Sequence, residues 1–260
     1  RVNDSQSGHH NLDLPLPFEA VSQVEILHGT GSTLYGSDAI GGAVNFVTKK
    51  PQMTELKLMA GGGDFGWHRQ AIISGLKLGD WSQQTTFERN FSSGFQPGRD
   101  YRNTSFSSES FLDKDFGSTT VMFAGNKRPF GANGFYGPWD SWENTGSTFF
   151  AMSQTIGRDP SSVQHRLSFA YRRHTDNFVL FRHRPEIYEN FHKTDQYQGN
   201  YSVHSEVNDK VSWSAGASLL SEGINSTNLG IRGRERASAF FMLNLRPTER
   251  LSLAVGVREE

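Results

Sequence analysis

Residues 24–51 read VEILHGTGSTLYGSDAIGGAVNFVTKKP, and the fold turns on them. A short strand over Val24–Leu27 runs into Gly29 and Gly31. Tyr35-Gly36-Ser37 reads as a turn, with Gly36 suited to positive φ because it lacks the Cβ that would clash there. Gly41 and Gly42 let the backbone pass close to a neighbouring segment. Ala43–Thr48 reads as a second strand. Lys49-Lys50-Pro51 stops it, since proline has no N–H for a ladder.

Downstream of Thr54 the texture changes. Apolar and polar residues alternate over long segments, and proline is confined to the gaps. In Lys210–Leu219 the odd positions are Val211, Trp213, Ala215, Ala217 and Leu219, while Ser212, Ser214, Gly216 and Ser218 fill the even ones. That is a period of two with one apolar face. Leu167, Phe169 and Tyr171 oppose Arg166, Ser168, Ala170 and Arg172 in the same way. Eleven such segments follow, at roughly 55–62, 67–78, 81–91, 103–112, 117–127, 145–156, 164–174, 194–206, 210–220, 233–245 and 250–260. Most approach the roughly 9–11 residues that a tilted strand needs to cross a bilayer, against roughly 5–6 in a soluble strand.

The connections alternate too. Residues 79–80, 113–116, 157–163, 207–209 and 246–249 are short. Residues 91–102, 129–144, 175–193 and 221–232 are long; only 61–66, in the long series, is brief. Short turns on one side and long loops on the other are the mark of a transmembrane barrel, with the long loops outside the cell.

The opening stretch resembles the end of the plug domain of TonB-dependent outer-membrane receptors. The resemblance rests on Val24, Glu25, Gly29, Ser32, Leu34, Tyr35, Gly36, Ser37, Ala39, Ile40, Gly41, Gly42, Asn45 and Thr48. It implies an all-β membrane protein: a partial antiparallel transmembrane β-barrel, about 11 of 22 strands, preceded by the C-terminal part of an α/β plug domain. Residues 1–51 would be the end of the plug and 52–260 the first half of the barrel, so the chain is expected to be a fragment. Gly29, Tyr35, Gly36, Ser37, Gly41, Gly42 and Asn45 would be structural positions of the plug. The resemblance further implies active uptake of a scarce nutrient such as a ferric siderophore or cobalamin, and a location in the bacterial outer membrane. TonB would be a partner through a segment upstream of Arg1, and the full-length protein a monomer in outer-membrane lipid. Two other classes remain: a passive outer-membrane porin and a soluble β-rich ligand-binding module.

Composition is compatible with this. The 260 residues are 35% hydrophobic and 20% charged, with net charge −1. Such a balance gives no reason to expect nucleic acid as a partner. No cysteine is present, so there is neither a disulfide framework nor a thiolate metal site. Mean hydropathy is −0.56, which does not argue against a barrel, because only alternate residues face lipid. Lumen-facing Arg166, Arg172, Glu206, Arg236 and Arg258 are expected to pair with the plug or with water.

No catalytic constellation is legible: no G-x-S-x-G elbow and no H-E-x-x-H helix occurs. Gly61–Gly66 reads as a tight hairpin rather than a phosphate loop, since no Lys-Ser/Thr and helix follow. Binding is expected on the long loops. Residues 129–144 carry Phe135, Tyr136, Trp139, Asp140 and Trp142, either as a ligand surface or as aromatics that fold the loop or join the interfacial girdle. Residues 175–193 carry Arg182, His183 and Arg184, either to attract an anionic chelate or lipopolysaccharide phosphate or as a solvated loop. His9 and His10 read as part of a polar loop. Asp64, Asp100, Asp140 and Asp176 lack EF-hand spacing, so no metal and no cofactor is expected.

Overall fold

The computed structural model describes residues 2–11, 13–29, 31–157 and 163–260. The expected short turn at 157–163 lies mostly outside the described residues.

Strand β1 (Val21–His28) pairs antiparallel with β2 (Gly42–Thr48), bringing Glu25 opposite Asn45. Between them run a one-turn helix, α1 (Ser32–Tyr35), and a 3₁₀ turn at Ser37–Ala39. Gly36 joins the two at φ 90°. Gly42 has φ 141°, and a Cβ there would lie 2.3 Å from the Leu27 carbonyl oxygen. The expected close approach is therefore real at Gly42. It is absent at Gly41, where a Cβ would meet nothing within 4 Å. A 3₁₀ turn occupies Phe18–Ala20, and the chain is extended from Val21, which pairs with Thr48 while Gln23 pairs with Val47.

Eleven strands form the second sheet: β3 (Glu55–Gly63), β4 (Trp67–Leu78), β5 (Trp81–Ser92), β6 (Tyr101–Lys114), β7 (Gly117–Gly131) and β8 (Trp142–Ile156). They continue as β9 (Gln164–Val179), β10 (Glu189–Asn208), β11 (Val211–Ser226), β12 (Gly230–Thr248) and β13 (Leu251–Glu259). Neighbours in sequence are neighbours in space, all antiparallel, from β3 at one edge to β13 at the other. Each expected strand is present. Gly61–Gly66 is the hairpin between β3 and β4.

The long loops are shorter than expected. Residues 129–131 and 142–144 are strand, with Gly131 opposite Trp142, and Trp142 in turn opposite Val179. Residues 175–179 and 189–193 likewise belong to β9 and β10. The apolar alternation stops there while the backbone ladder continues.

The sheet has an apolar outside and a polar inside. On β9, Leu167 is 61% exposed, whereas Arg172 on the opposite face is 3% exposed. Buried inward positions are polar on β5 (Ser82, Gln84, Thr86, Glu88) and β6 (Ser105, Ser107, Glu109). This inverts a soluble core and suits a wall whose outer face meets lipid. The segment before β3 lies on that inner face. Arg69 of β4 donates to Glu19 at 3.0 Å, Lys49 meets Glu55 at 2.7 Å, and Arg236 of β12 reaches Asp38 at 3.3 Å. Arg258 donates to the Thr33 carbonyl at 3.4 Å. Of the other expected inward charges, Arg166 bonds Ser153 and Glu206 stays exposed beside His204.

Candidate functional site: the junction of plug segment and outer wall

Residues 3–14 contain little regular structure, yet wall side chains hold them closely. Arg172 Nη1 on β9 donates to Asp4 Oδ2 at 3.1 Å. His174, two residues on and therefore on the same face, puts Nδ1 3.1 Å from the same oxygen, off the line of a good hydrogen bond. Its Nε2 lies 3.2 Å from Asp13 Oδ2. Arg128 on β7 pairs with Asp13 and donates to the Leu14 carbonyl at 2.6 Å, which Asn126 also reaches at 2.8 Å. Burial works to raise the pKa of Asp4. The contact and charge of His174, the Gln6 N–H and Arg172 outweigh it and hold the carboxyl at about 2. Asp13 is lowered on the same pattern, with His174 and Arg128 overcoming its burial.

A second group surrounds His10. Its Nε2 lies 3.6 Å from Asp176 Oδ2 on β9 and 3.8 Å from Glu143 Oε1 on β8. Gln6 Nε2 donates to Asp176 Oδ2 at 2.8 Å, and the Tyr136 hydroxyl donates to Glu143 Oε2 at 2.7 Å. Burial, then that hydrogen bond, raises the Tyr136 pKa. Two cavities flank the group. One of about 650 Å³ lies among His10, Asp13, Trp67, Phe95, Arg99, Arg128, Phe130 and Phe135. The other, of about 380 Å³, lies among Gln6, His10, Tyr136, Glu143, Asp176 and His192.

The eight loop residues predicted from sequence divide between these cavities and the loops' own packing. Phe135 lines the larger cavity with Arg99 over its ring at 4.2 Å, and Tyr136 lines the smaller. Trp139 packs on Phe181, centroids 6.1 Å apart. The Asp140 carbonyl accepts from Arg182 N at 2.8 Å, and its carboxylate lies 3.6 Å from His183. Trp142 sits in the ladder. Arg182 forks onto Asp100, whose pKa it lowers, chiefly through the hydrogen bonds. Arg184 lies over Phe181 at 5.6 Å. The two loops are thus tied to each other.

Sequence reasoning passed over Asp4, Asp13, Arg128, Glu143 and His174, set Asp176 aside for want of EF-hand spacing, and read His10 as a polar loop residue. His10 is 7% exposed. The His9 side chain lies outside the described residues. A signal existed, because His174 and Asp176 share the parity of Arg172, already assigned inward. Among the plug positions, Gly29 has φ 90°, Tyr35 is exposed, and Asn45 Nδ2 donates to Glu25 at 2.8 Å. The Ser37 N–H donates to Glu260 Oε2 at 3.2 Å.

An apolar-outside, polar-inside sheet with a folded segment held against its inner face defines a class: a plugged outer-membrane wall. Comparison with known proteins agrees. Residues 1–43 match the family described as TonB-dependent Receptor Plug Domain. An iron-regulated outer membrane virulence protein of Vibrio cholerae serotype O1 is 53% identical over 52 residues, 20% of this chain and 8% of that protein. The vitamin B12 transporter BtuB of V. cholerae serotype O1 is 35% identical over 69 residues, 26% of this chain and 11% of that one. Among solved structures, the alcaligin outer-membrane receptor FauA of Bordetella pertussis superposes with TM-score 0.76 at 17% identity, covering 98% of this chain and 44% of that one. The ferric yersiniabactin uptake receptor FyuA of Yersinia pestis gives 0.73 at 16%, covering 92% and 44%. Residues 1–43 are thus similar to the plug domain of TonB-dependent receptors, and the sheet shares the fold of outer-membrane receptors of that kind. The chain matches about a tenth of the length of these curated relatives and less than half of these solved structures.

Proposed function

We propose that this chain is part of a receptor that takes up a scarce nutrient across the outer membrane, a ferric siderophore, a cobalamin or a similar chelate. Residues 1–51 act as the end of the plug and 52–260 as half of the wall. TonB is the partner that drives the plug, and no reaction is catalysed on the ligand. The observation that carries this reading is the larger cavity. It is built jointly from the plug segment (His10, Asp13) and the outer ends of wall strands and loops (Arg99, Tyr101, Phe130, Phe135). A ligand seated there touches both the part that moves and the part that stays. Its volume, about 650 Å³, falls within the roughly 300–1,000 Å³ of small-molecule sites. Phe135, Tyr136, Trp139, Asp140, Arg182, His183 and Arg184, with Trp142 at the start of β8, are the residues proposed to shape its mouth. Phe135 and Arg99 offer an apolar face and a cation to an anionic chelate. Displacing the plug means breaking the contacts of Asp4 and Asp13 with β7 and β9.

The test is growth of a deletion strain, carrying the full-length gene or an empty vector, on a panel of siderophores, haem and cobalamin. Growth on one ligand, abolished by an uncoupler of the proton gradient, supports the proposal. Uptake that survives the uncoupler points to a passive porin instead. Partitioning of the protein into buffer rather than detergent points to a soluble binding module.

A further inference from the structure

The two charged groups at the junction are not equivalent. Around His174 the charges balance: Asp4 and Asp13 are met by Arg172 and Arg128. Around His10 they do not. Glu143 and Asp176 are both at most 2% exposed. Among the described residues, no Lys or Arg pairs with either. Their one basic neighbour, His10, supplies at most a single positive charge. Leaving a buried carboxylate uncompensated costs several kcal/mol.

Two further atoms lack partners there. Asp176 Oδ1 has no hydrogen-bond partner among the described residues, nor has Nδ1 of His192, itself 7% exposed and lining the same cavity. His10, Glu143 and Asp176 can each turn one ligand atom to a common point, those atoms lying within 4.8 Å of one another.

We infer that a resident divalent transition-metal ion of the zinc class joins plug to wall, held by His10 from the plug segment, Glu143 from β8 and Asp176 from β9. Ligand atoms around a tetrahedral ion with bonds of about 2.0–2.1 Å lie about 3.3 Å apart. The His10 Nε2 separations of 3.6 and 3.8 Å therefore need to close by only a few tenths of an ångström. The imidazole donor disfavours calcium and magnesium, which take oxygen ligands. Two carboxylates supply the charge that a divalent ion needs, and the adjoining cavity of about 380 Å³ leaves room for a water or for His192 to complete the shell. The ion is a fastener of the plug, distinct from any cargo, and the inference stands whichever nutrient is carried.

The test uses the full-length receptor, purified in detergent with a chelator and then dialysed against zinc or cobalt alone. Zinc content is compared among wild type, His10→Ala, Glu143→Gln and, as a control on the outer face of β10, Asp195→Asn. Wild type and control should hold one zinc more than either cluster variant, and the visible d–d bands of bound cobalt should vanish with His10→Ala. Zinc-edge X-ray absorption on wild type alone guards against misfolded variants; it should show nitrogen and oxygen ligands at about 2.0–2.2 Å. Equal zinc in wild type and variants, or an absorption edge without an imidazole ligand, overturns the inference. So does wild type that binds no zinc, in which case the two carboxylates share a proton.

Discussion

Residues 3–14 and the β1–β2 hairpin both precede the wall but are held in opposite ways. The hairpin has a backbone ladder interrupted only between Val21 and Gln23, and most of β1 is solvent-exposed, including Val24, Ile26 and Leu27. Its attachments to the wall lie at its ends: the Lys49–Glu55 pair, and Ser37 and Asp38 against Glu260 and Arg236. Residues 3–14 have almost no ladder, but their charged side chains are locked among buried groups of β7, β8 and β9. Regular structure and firm anchoring are therefore separate properties here. The irregular segment is the clamp, and the ordered hairpin holds its own shape.

The largest expected effect breaks the clamp. Arg172→Ala leaves Asp4 buried beside His174 with a reduced counter-charge, and losing one partner of a buried pair costs about 3–5 kcal/mol. In the full-length receptor, limited proteolysis should then cut within residues 3–14, while the barrel keeps its heat-modifiable mobility in gels. Phe169→Arg should do the reverse. An arginine facing lipid costs about 2–4 kcal/mol near the membrane centre, so outer-membrane levels on immunoblots should fall far below those of Arg172→Ala.

Acid should loosen the clamp more gently. The Asp4 carboxyl lies at about 2 when folded against 3.8 ordinarily. A depressed carboxylate contributes its stability above the ordinary value, and that contribution disappears as pH falls through the folded one. The difference is worth about 2 kcal/mol. Proteolytic exposure of residues 3–14 should hence rise between about pH 4 and 2, and Asp4→Asn should flatten that part of the profile. The smallest effect sharpens the other half of the comparison. Asn45→Ala removes only an exposed bond to Glu25. It should change thermal stability by less than about 1 kcal/mol and leave the proteolytic pattern of residues 3–14 unchanged. Deleting 130–143 tests the loop assignment separately: uptake should fall while the barrel still assembles.

The wall was legible because lipid imposes a strict rule. Leu167 and Phe169 alternate with Arg166, Ser168 and Ala170, and only a strand crossing a membrane repeats that for so long. The hairpin was legible through Gly36 and Gly42, where backbone geometry selects the residue. The strand ends were not, because Trp142–Asn144 and Thr175–Val179 carry no alternation of apolar and polar residues to mark them. The clamp was not legible either. Asp4 and His174 are 170 residues apart in sequence, and nothing local in SGHHNLDLP announces that His10 will be buried. Carrying the inward parity of Arg172 forward to His174 and Asp176 would have exposed half of the site; the plug half depends on a docking that no local pattern encodes.

The most direct test of the account is a nitroxide scan of β9. Single cysteines are placed in turn at 166–172 of the full-length receptor in outer membranes, a segment of a chain stretch with no cysteine of its own. Labels at 167, 169 and 171 should be readily relaxed by oxygen dissolved in lipid. Labels at 166, 168 and 170 should be shielded from it, with 172 the most immobile beneath the plug segment. Uniform accessibility along the strand, or oxygen reaching 172 as readily as 169, would contradict a lipid-facing wall closed from within by this plug.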